Sequence, residues 1–342
     1  MTESGINPDS GELFPTTQSV AGQPIAPDRA VPGAVEGTMI DAIGGSGVEG
    51  DLAAGLTLKV RSQWSYARMR FFRHRLAIIG LVGLVIIFGA GIFANFVAPY
   101  PYAEIDLTHI LQAPSSAHYF GTDAIGRDEF TRVIWGIRTS MEVGVFVAVV
   151  STIVGLVIGA VAGYYGGWLD NLLMRATDLV LTLPLLAVLL TATALLGQGS
   201  QWRVSLILVF FFWTGIARVV RGVYLSLREK EYVEAAKASG AGDSRLMFRH
   251  ILPNTLGPIV VNATLAVGTA ILVEAALSFL NFGIKPPTPS LGVLVSDAQS
   301  NPQQWWLTVF PGLTIVLIVL CVNFVGDGLR DALDPTQRRM RA

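Results

Sequence analysis

The chain has 342 residues and a formal net charge of −1. Hydrophobic residues make up 52% of it and charged residues only 14%, whereas soluble domains have about 25% charged residues. This composition excludes an ordinary soluble domain and favours an integral membrane protein. The near-zero charge gives no reason to expect a nucleic-acid partner. Cys321, the single cysteine, permits no intramolecular disulfide and is interpreted as a small buried hydrophobe.

The first 58 residues are rich in Gly, Pro, Ser, Thr and Ala and contain few bulky apolar side chains. Such a segment cannot bury enough apolar surface to offset the entropy lost on ordering, so we predict a disordered cytoplasmic tail. No signal peptide pattern precedes the first apolar run, which starts near residue 77 and is long enough to span a membrane. It is therefore predicted to be an uncleaved anchor.

Six segments have the length and composition of membrane spans. A hydrocarbon core of about 30 Å requires about 20 apolar residues in a helix. The segments that meet or approach this length are 77–98, 141–162, 177–197, 203–222, 257–282 and 307–326. We therefore predict an all-α membrane protein with six transmembrane helices. Pro184 in the third and Gly268 in the fifth allow kinks.

Lysine and arginine residues are distributed unevenly around these segments. The stretches 59–75, 223–256 and 327–342 hold most of them, whereas the alternate stretches hold Arg127, Arg132, Arg138, Arg203 and Lys285. Positively charged residues concentrate on the cytoplasmic side of membrane proteins. Both termini and residues 223–256 are thus predicted to be cytoplasmic, with residues 99–140 external.

The predicted external segment begins with Pro99 and Pro101, which end the first helix. A surface helix resting on the membrane near the pore mouth is predicted from four residues that would lie on neighbouring turns: Arg127, Thr131, Trp135 and Arg138. Two interpretations of the polar residues remain open. They form a structural collar in which Asp123, Arg127 and Asp128 pair with one another, or they contact substrate. The collar is favoured.

Residues 231–253, between the fourth and fifth spans, form the most informative segment. Their pattern predicts two short helices broken at Gly240-Ala-Gly242, with Gly240 as a C-terminal cap in the left-handed conformation. Asp243 or Ser244 is expected to cap the second helix before Pro253 redirects the chain. A polar helix-turn-helix between two spans indicates a docking element, although an ordinary helical loop is the alternative.

The residues of this segment suit a docking role. Ala235, Ala236 and Ala238 keep one helical face small enough for close approach, and Glu234 offers a charge for an Arg or Lys of a partner. Glu234-Ala-Ala, Gly240 and Ile251-Leu-Pro resemble the EAA loop of binding-protein-dependent ABC importer permeases. The EAA-like residues singled out are Glu234, Ala235, Ala236, Gly240, His250, Leu252 and Pro253.

Three further stretches, residues 118–140, 274–292 and 323–335, are similar to the peptide/nickel branch of that family. The resemblance covers about residues 60–340 and departs at Thr131, where the family usually has Ser, and Asn281, where it usually has Gly. It implies a tail at 1–58, an anchor helix and external segment at 59–137, a permease domain at 138–331 and a cytoplasmic tail at 332–342.

The resemblance also implies a function and partners. The chain is expected to be the pore-forming subunit of an importer in the cytoplasmic membrane that works by alternating access. Its expected partners are a homologous second permease, one or two ABC ATPase subunits, an extracellular substrate-binding protein and membrane lipid. Peptides are the expected substrate, and nickel or another small solute is the alternative.

No catalytic, cofactor or metal residues are predicted. A P-loop requires Gly-Lys followed by Ser or Thr, and none of the four lysines follows Gly. The histidines lack the spacing of a metal site. A secondary transporter would show inverted repeats, and a membrane enzyme would show clustered nucleophiles or acids. The sequence shows neither pattern. Glu274, inside the fifth span, faces either a neighbouring helix or the pore, and a pore-lining role is one interpretation.

Overall fold

The computed structural model describes residues 63–197 and 199–333. The tail predicted at 1–58 lies outside these ranges, as does most of the C-terminal tail. Helices are the regular secondary structure of the described residues. Isolated β-bridges also pair Thr122 with Asp128 and Gly199 with Ile284. The predicted all-α membrane fold is confirmed.

The helices follow one another with short connections, except before α4 and α10. In chain order they are α1 (Gln63–Phe71), α2 (Arg75–Ile92), α3 (Ala94–Val97), α4 (Glu129–Tyr165), α5 (Gly167–Thr182), α6 (Leu185–Leu196), α7 (Gln201–Arg228), α8 (Glu231–Ala238), α9 (Asp243–Phe279), α10 (Leu291–Ala298) and α11 (Trp305–Leu333).

Within the described residues, five helices are long and apolar enough to cross a membrane: α2, α4, α7, α9 and α11. The remaining predicted span is the pair α5 and α6, which is bent by 85° at Pro184. The residue before a proline is forced out of the helical region, and Leu183 accordingly has φ −71° and ψ 135°. The kink predicted at Pro184 is confirmed. At Gly268 the helix is uninterrupted, and this glycine lies instead against Val322 of α11.

The predicted surface helix at 127–138 is wrong. These residues belong to the start of α4, which runs unbroken for 37 residues and is about 55 Å long at about 1.5 Å per residue. Asp128 caps it by accepting a hydrogen bond of 2.8 Å from the backbone N–H of Thr131. Thr131, Arg132 and Gly136 are buried against other elements. The predicted domain boundary at 137/138 thus falls inside one helix.

The segment before α4 is held by charged side chains. Asp123 accepts hydrogen bonds from Arg127 Nε at 2.6 Å and from Arg132 at 2.8 Å. Arg132 also donates to Asp297 of α10 at 3.0 Å. The Asp123–Arg127 pair matches the predicted collar. Asp128 instead lies 2.9 Å from His118, so the collar includes residues whose pairing was not expected.

Helix α4 packs closely along α7 through a row of glycines. A Cβ atom at Gly155 or Gly163 would lie 2.7 Å from the carbonyl oxygen of Trp213 or Arg221, and one at Gly159 would overlap the carbonyl of Ala217. The spacing of four residues places all three on one helix face. Small residues at this spacing let two helix backbones approach within van der Waals contact in a membrane.

This packing predicts opposite effects for two glycine substitutions. Gly159→Leu drives a side chain into the α7 backbone and should destabilise the chain by about 1–3 kcal/mol, the usual cost of overpacking. Gly215→Leu is the control, because a Cβ there meets no atom within 4 Å. Thermal unfolding in detergent should show a lower midpoint for the first variant only, and equal midpoints would contradict the close contact.

Candidate coupling loop

The first half of the loop is helix α8, which two residues separate from the end of α7. Only Val233 of this helix is buried, with 3% of its surface exposed. Glu234, Ala235 and Lys237 are exposed, and Ala236 is half-buried. The helix therefore contacts the rest of the chain along one narrow edge and presents its polar and small residues outward.

Gly240 ends α8 in the left-handed conformation, with φ +82°. Its N–H donates to the carbonyl of Lys237 at 3.0 Å, and the N–H of Ala241 donates to that of Ala236 at 3.1 Å. These two bonds form a Schellman motif, which satisfies carbonyls that the helix end leaves free. The predicted conformation of Gly240 is confirmed. Its Cα faces open space, so the glycine is required by φ and not by crowding.

The second half of the loop differs from the prediction. Pro253 does not redirect the chain, because residues 243–279 form one continuous helix, α9. A π-helical turn at Leu246–Ile251 precedes the proline. Such a turn widens the helix and relieves the clash between a proline ring and the carbonyl of the preceding turn. Gly242 is the N-cap, and neither Asp243 nor Ser244 caps the helix through its side chain.

An apolar cluster fixes the loop to the ends of α4 and α7. Val233, Leu246, Met247 and Ile251 pack there with Tyr224 of α7 and with neighbouring residues. The Tyr224 hydroxyl donates to the carbonyl of Met247 at 3.3 Å. Movement of the loop must therefore carry these helix ends with it.

Two polar contacts reinforce this attachment. The Tyr164 hydroxyl donates to Asp243 Oδ1 at 2.7 Å, which ties the end of α4 to the start of α9. Arg228, at the end of α7, donates to the carbonyl of Tyr164 at 3.0 Å. The end of α4 is thus held from both sides, by the loop and by α7.

The outward side of the loop borders a concave surface, and the cavity that this surface encloses has a volume of about 690 Å³. Its polar lining combines both charge signs, with Glu234 and Lys237 from α8, Arg228 from α7 and Asp243 from α9. A surface of this kind can accept a protruding segment of a second protein and pair with its charges.

The predicted loop residues occupy different positions. Glu234, Ala235, Gly240 and Pro253 are exposed, whereas Ala236, His250 and Leu252 are half-buried. Ala236 and Leu252 pack against the apolar cluster, so they support the loop instead of forming its surface. The carbonyl of His250 accepts a hydrogen bond of 2.8 Å from Asn254.

Sequence reasoning missed two large residues on the loop surface. Phe248 is 63% exposed and Tyr232 is 42% exposed. Aromatic residues exposed beside charged ones are typical of protein interfaces. The sequence offers little signal for this exposure, because a spacing of three residues would place Phe248 on the same helical face as the buried Ile251.

Glu274 is buried inside the chain, with 0% of its surface exposed. Its carboxylate accepts hydrogen bonds from Ser140 Oγ of α4 at 3.0 Å and from Ser278 Oγ at 2.7 Å. Of the two orientations considered from sequence, the single chain shows the one toward a neighbouring helix. A pore-lining role has no support in this geometry, because the carboxylate reaches no open surface. Among the described residues, no His, Cys, Asp and Glu side chains cluster as a metal site would require.

Comparison with known proteins agrees with this architecture. Residues 155–339 match the family described as binding-protein-dependent transport system inner membrane component. Residues 62–114 match the N-terminal transmembrane domain of oligopeptide transport permease C. The chain belongs to the family of binding-protein-dependent transport permeases, and it is accordingly a multi-pass membrane transport subunit.

Two relatives illustrate the similarity. The dipeptide transport system permease protein DppC of Alkalihalophilus pseudofirmus is 43% identical over 284 residues, which cover 81% of this chain and 91% of that protein. The oligopeptide transport system permease protein OppC of Mycobacterium bovis is 40% identical over 276 residues, which cover 80% of this chain and 94% of that protein. Both alignments extend across nearly the whole relative.

The loop geometry predicts a difference between two neighbouring glycines. Gly240→Ser forces a side chain into the left-handed region, at a cost of about 1–2 kcal/mol, which corresponds to roughly a 5–30-fold increase in local opening. Gly242→Ser is the matched control, since φ there is −71° and serine is a good N-cap. Limited trypsin digestion should cleave at Lys237 and Arg245 faster in the first variant only. Equal cleavage rates would contradict the strain argument.

Proposed function

We propose that the chain is the pore-forming permease subunit of an ATP-driven importer of di- or oligopeptides. One observation carries this proposal: a polar loop is bound on its inner side to the ends of two long helices and leaves its outer side open. The names of the two relatives, a dipeptide and an oligopeptide permease, support the choice of peptides as substrate.

The exposed side of the loop is the proposed docking surface for a separate ATPase subunit. Glu234 and Lys237 offer charges, Ala235 allows close approach, and Phe248 offers an apolar anchor. The sequence lacks the Gly-Lys-Ser/Thr of a P-loop, so ATP binding and hydrolysis are assigned to the partner. The chain itself is a non-catalytic subunit in this scheme.

Coupling then works by movement of packed elements. ATP binding brings the ATPase subunits together and displaces the loop seated on them. The loop is packed on α4 and α7, so its displacement shifts these helix ends and turns the transport pathway outward. Hydrolysis releases the ATPase subunits and returns the pathway to the inward state. Switching between two packed arrangements is the usual basis of such transitions.

The proposed assembly includes two further proteins. The five spans and one bent helix pair of the described residues are few to enclose a pathway for peptides, so a homologous permease is proposed to supply the other half. An extracellular binding protein is proposed to deliver the substrate. The large apolar residues exposed on the single chain, such as Leu179, Leu195 and Phe210, are available for the second permease or for lipid.

The functional test replaces one acidic residue in the docking surface. Glu234→Lys reverses a charge that lines the concave surface and should abolish ATPase co-purification and peptide uptake. Glu231→Lys is the control, because it makes the same change in the same helical turn but lies outside that surface.

Uptake of labelled di- and oligopeptides is measured in a strain deleted for this chain and complemented with each variant. Restored uptake with the unaltered chain is expected. Absence of peptide uptake in the complemented strain would refute the substrate, and normal uptake with Glu234→Lys would refute the role of the loop.

The proposed orientation places residues 223–256 in the cytoplasm and 99–140 outside. Single cysteines at Ser226 and Ser116, both exposed, are introduced in a Cys321→Ser background. A membrane-impermeant maleimide applied to intact cells should label the cysteine at 116 and leave that at 226 unlabelled until the cells are opened. The reverse pattern would overturn the orientation.

A further inference from the structure

A second cavity lies near the end of α4 opposite to the coupling loop, where four separate parts of the chain meet. Its volume is about 400 Å³. Helix α4 contributes Trp135, Arg138 and Glu142, the start of α7 contributes Gln201, and the two connecting segments contribute Tyr102 and Thr288. These residues combine a cation, an anion, an amide and two aromatic rings around one space.

The charged pair in this cavity leaves part of its hydrogen-bonding capacity unused. Arg138 Nε donates to Glu142 Oε1 at 3.1 Å, and Gln201 Nε2 donates to Glu142 Oε2 at 2.9 Å. Both carboxylate oxygens are therefore engaged. Nη1 and Nη2 of Arg138 make no hydrogen bond to any residue that the structure describes. These terminal nitrogens form a planar fork that matches the two oxygens of a carboxylate.

The aromatic residues hold this guanidinium and border the same space. The Arg138 guanidinium carbon lies 5.3 Å from the centre of the Trp135 ring, a distance typical of a cation–π contact. The Tyr102 and Trp135 rings lie 5.0 Å apart. An apolar wall therefore stands beside the charged fork, as it does in sites that bind small amphipathic molecules.

The position of the pair favours a functional role. Glu142 falls within an apolar helix that is long enough to span the membrane, and about one third of its side chain is exposed. Ionisable groups in such helices are costly unless they face a bundle interior or a water-filled cavity, where they commonly mark a substrate pathway.

We propose that this cavity binds the C-terminal carboxylate of the transported peptide. Nη1 and Nη2 of Arg138 donate to the two carboxylate oxygens, while Glu142 and Trp135 hold the guanidinium in place. Trp135 and Tyr102 contact the side chain of the last peptide residue. This inference rests on the proposed function and adds a substrate contact within the permease itself.

The test compares a peptide with its C-terminal amide. The complete transporter, with its ATPase subunits and binding protein, is reconstituted in vesicles, and transport of both substrates is measured for the unaltered chain and for Arg138→Gln. Loss of a charge-assisted contact should lower transport of the free-acid peptide about tenfold. Transport of the amide should stay unchanged, because it carries no carboxylate. The binding protein is the same throughout, so its own preference cancels in the comparison.

Two further variants complete the design. Arg203→Gln is the matched control, because Arg203 is an exposed arginine near the start of α7 that does not line the cavity. It should leave both rates unchanged. Arg138→Lys keeps the charge but lacks the planar fork of the guanidinium. It should cause an intermediate loss of transport of the free-acid peptide and no loss for the amide. If Arg138→Gln fails to assemble, the Lys variant carries the same acid-to-amide comparison.

Several outcomes would overturn the inference. Equal losses for acid and amide would show a structural role of the Arg138–Glu142 pair, and no loss for either would show that the cavity is not used. A loss that is equal for both substrates and appears only in vesicles containing phosphatidylglycerol would assign the cavity to a lipid phosphate. Failure of the unaltered complex to transport either peptide would refute the proposed function and, with it, this inference.

Discussion

The contact between α4 and α7 determines how the other functional elements are positioned. At Gly155, Gly159 and Gly163 the α4 backbone lies directly against carbonyl groups of α7, with no room for a single Cβ atom. In a membrane, apolar side chains are attracted to lipid tails about as strongly as to one another. Helix association therefore depends on such close packing. The coupling loop is attached at one end of this pair, and the cavity around Arg138 lies toward the other.

A contact of this kind resists sliding. Displacing α4 along α7 would push each glycine toward a neighbouring side chain, so we infer that the two helices move together. The ion pair of Arg221 with Asp170, at 2.6 Å, also joins α7 to α5. Conformational change is then left to other joints, and the 85° bend at Pro184 is the clearest of these. Transport would involve rotation of a packed unit about such joints, as in other transitions between packed arrangements.

Much of this architecture was predictable because local rules determine it. Apolar length predicted the spans, Pro184 predicted the bend, and the φ requirement of a helix end predicted the conformation of Gly240. The exceptions depend on contacts distant in sequence. The spacing of Arg127, Thr131, Trp135 and Arg138 suggested a surface helix. Instead, α10 and the segment before α4 pack against this part of the chain, with Arg132 bound to Asp297. Pro253 would end an isolated helix, but the preceding π-helical turn accommodates it.

Charged side chains near the two ends of α4 differ in burial and in the number of their hydrogen-bond partners. This difference agrees with their proposed roles. Near its start, Arg132 is 2% exposed and its partners Asp123 and Asp297 engage it from two segments, which leaves it structural. Two turns further on, Arg138 has one hydrogen-bond partner, on its own helix, and its terminal nitrogens donate no hydrogen bond to a described residue. Beyond the other end of α4, Glu234 and Lys237 are exposed. A buried charge with saturated partners is committed to the fold, because removal of one partner would leave the other charge buried and unpaired. A charge with unused donors beside a cavity is available for a ligand, and an exposed one for a protein partner.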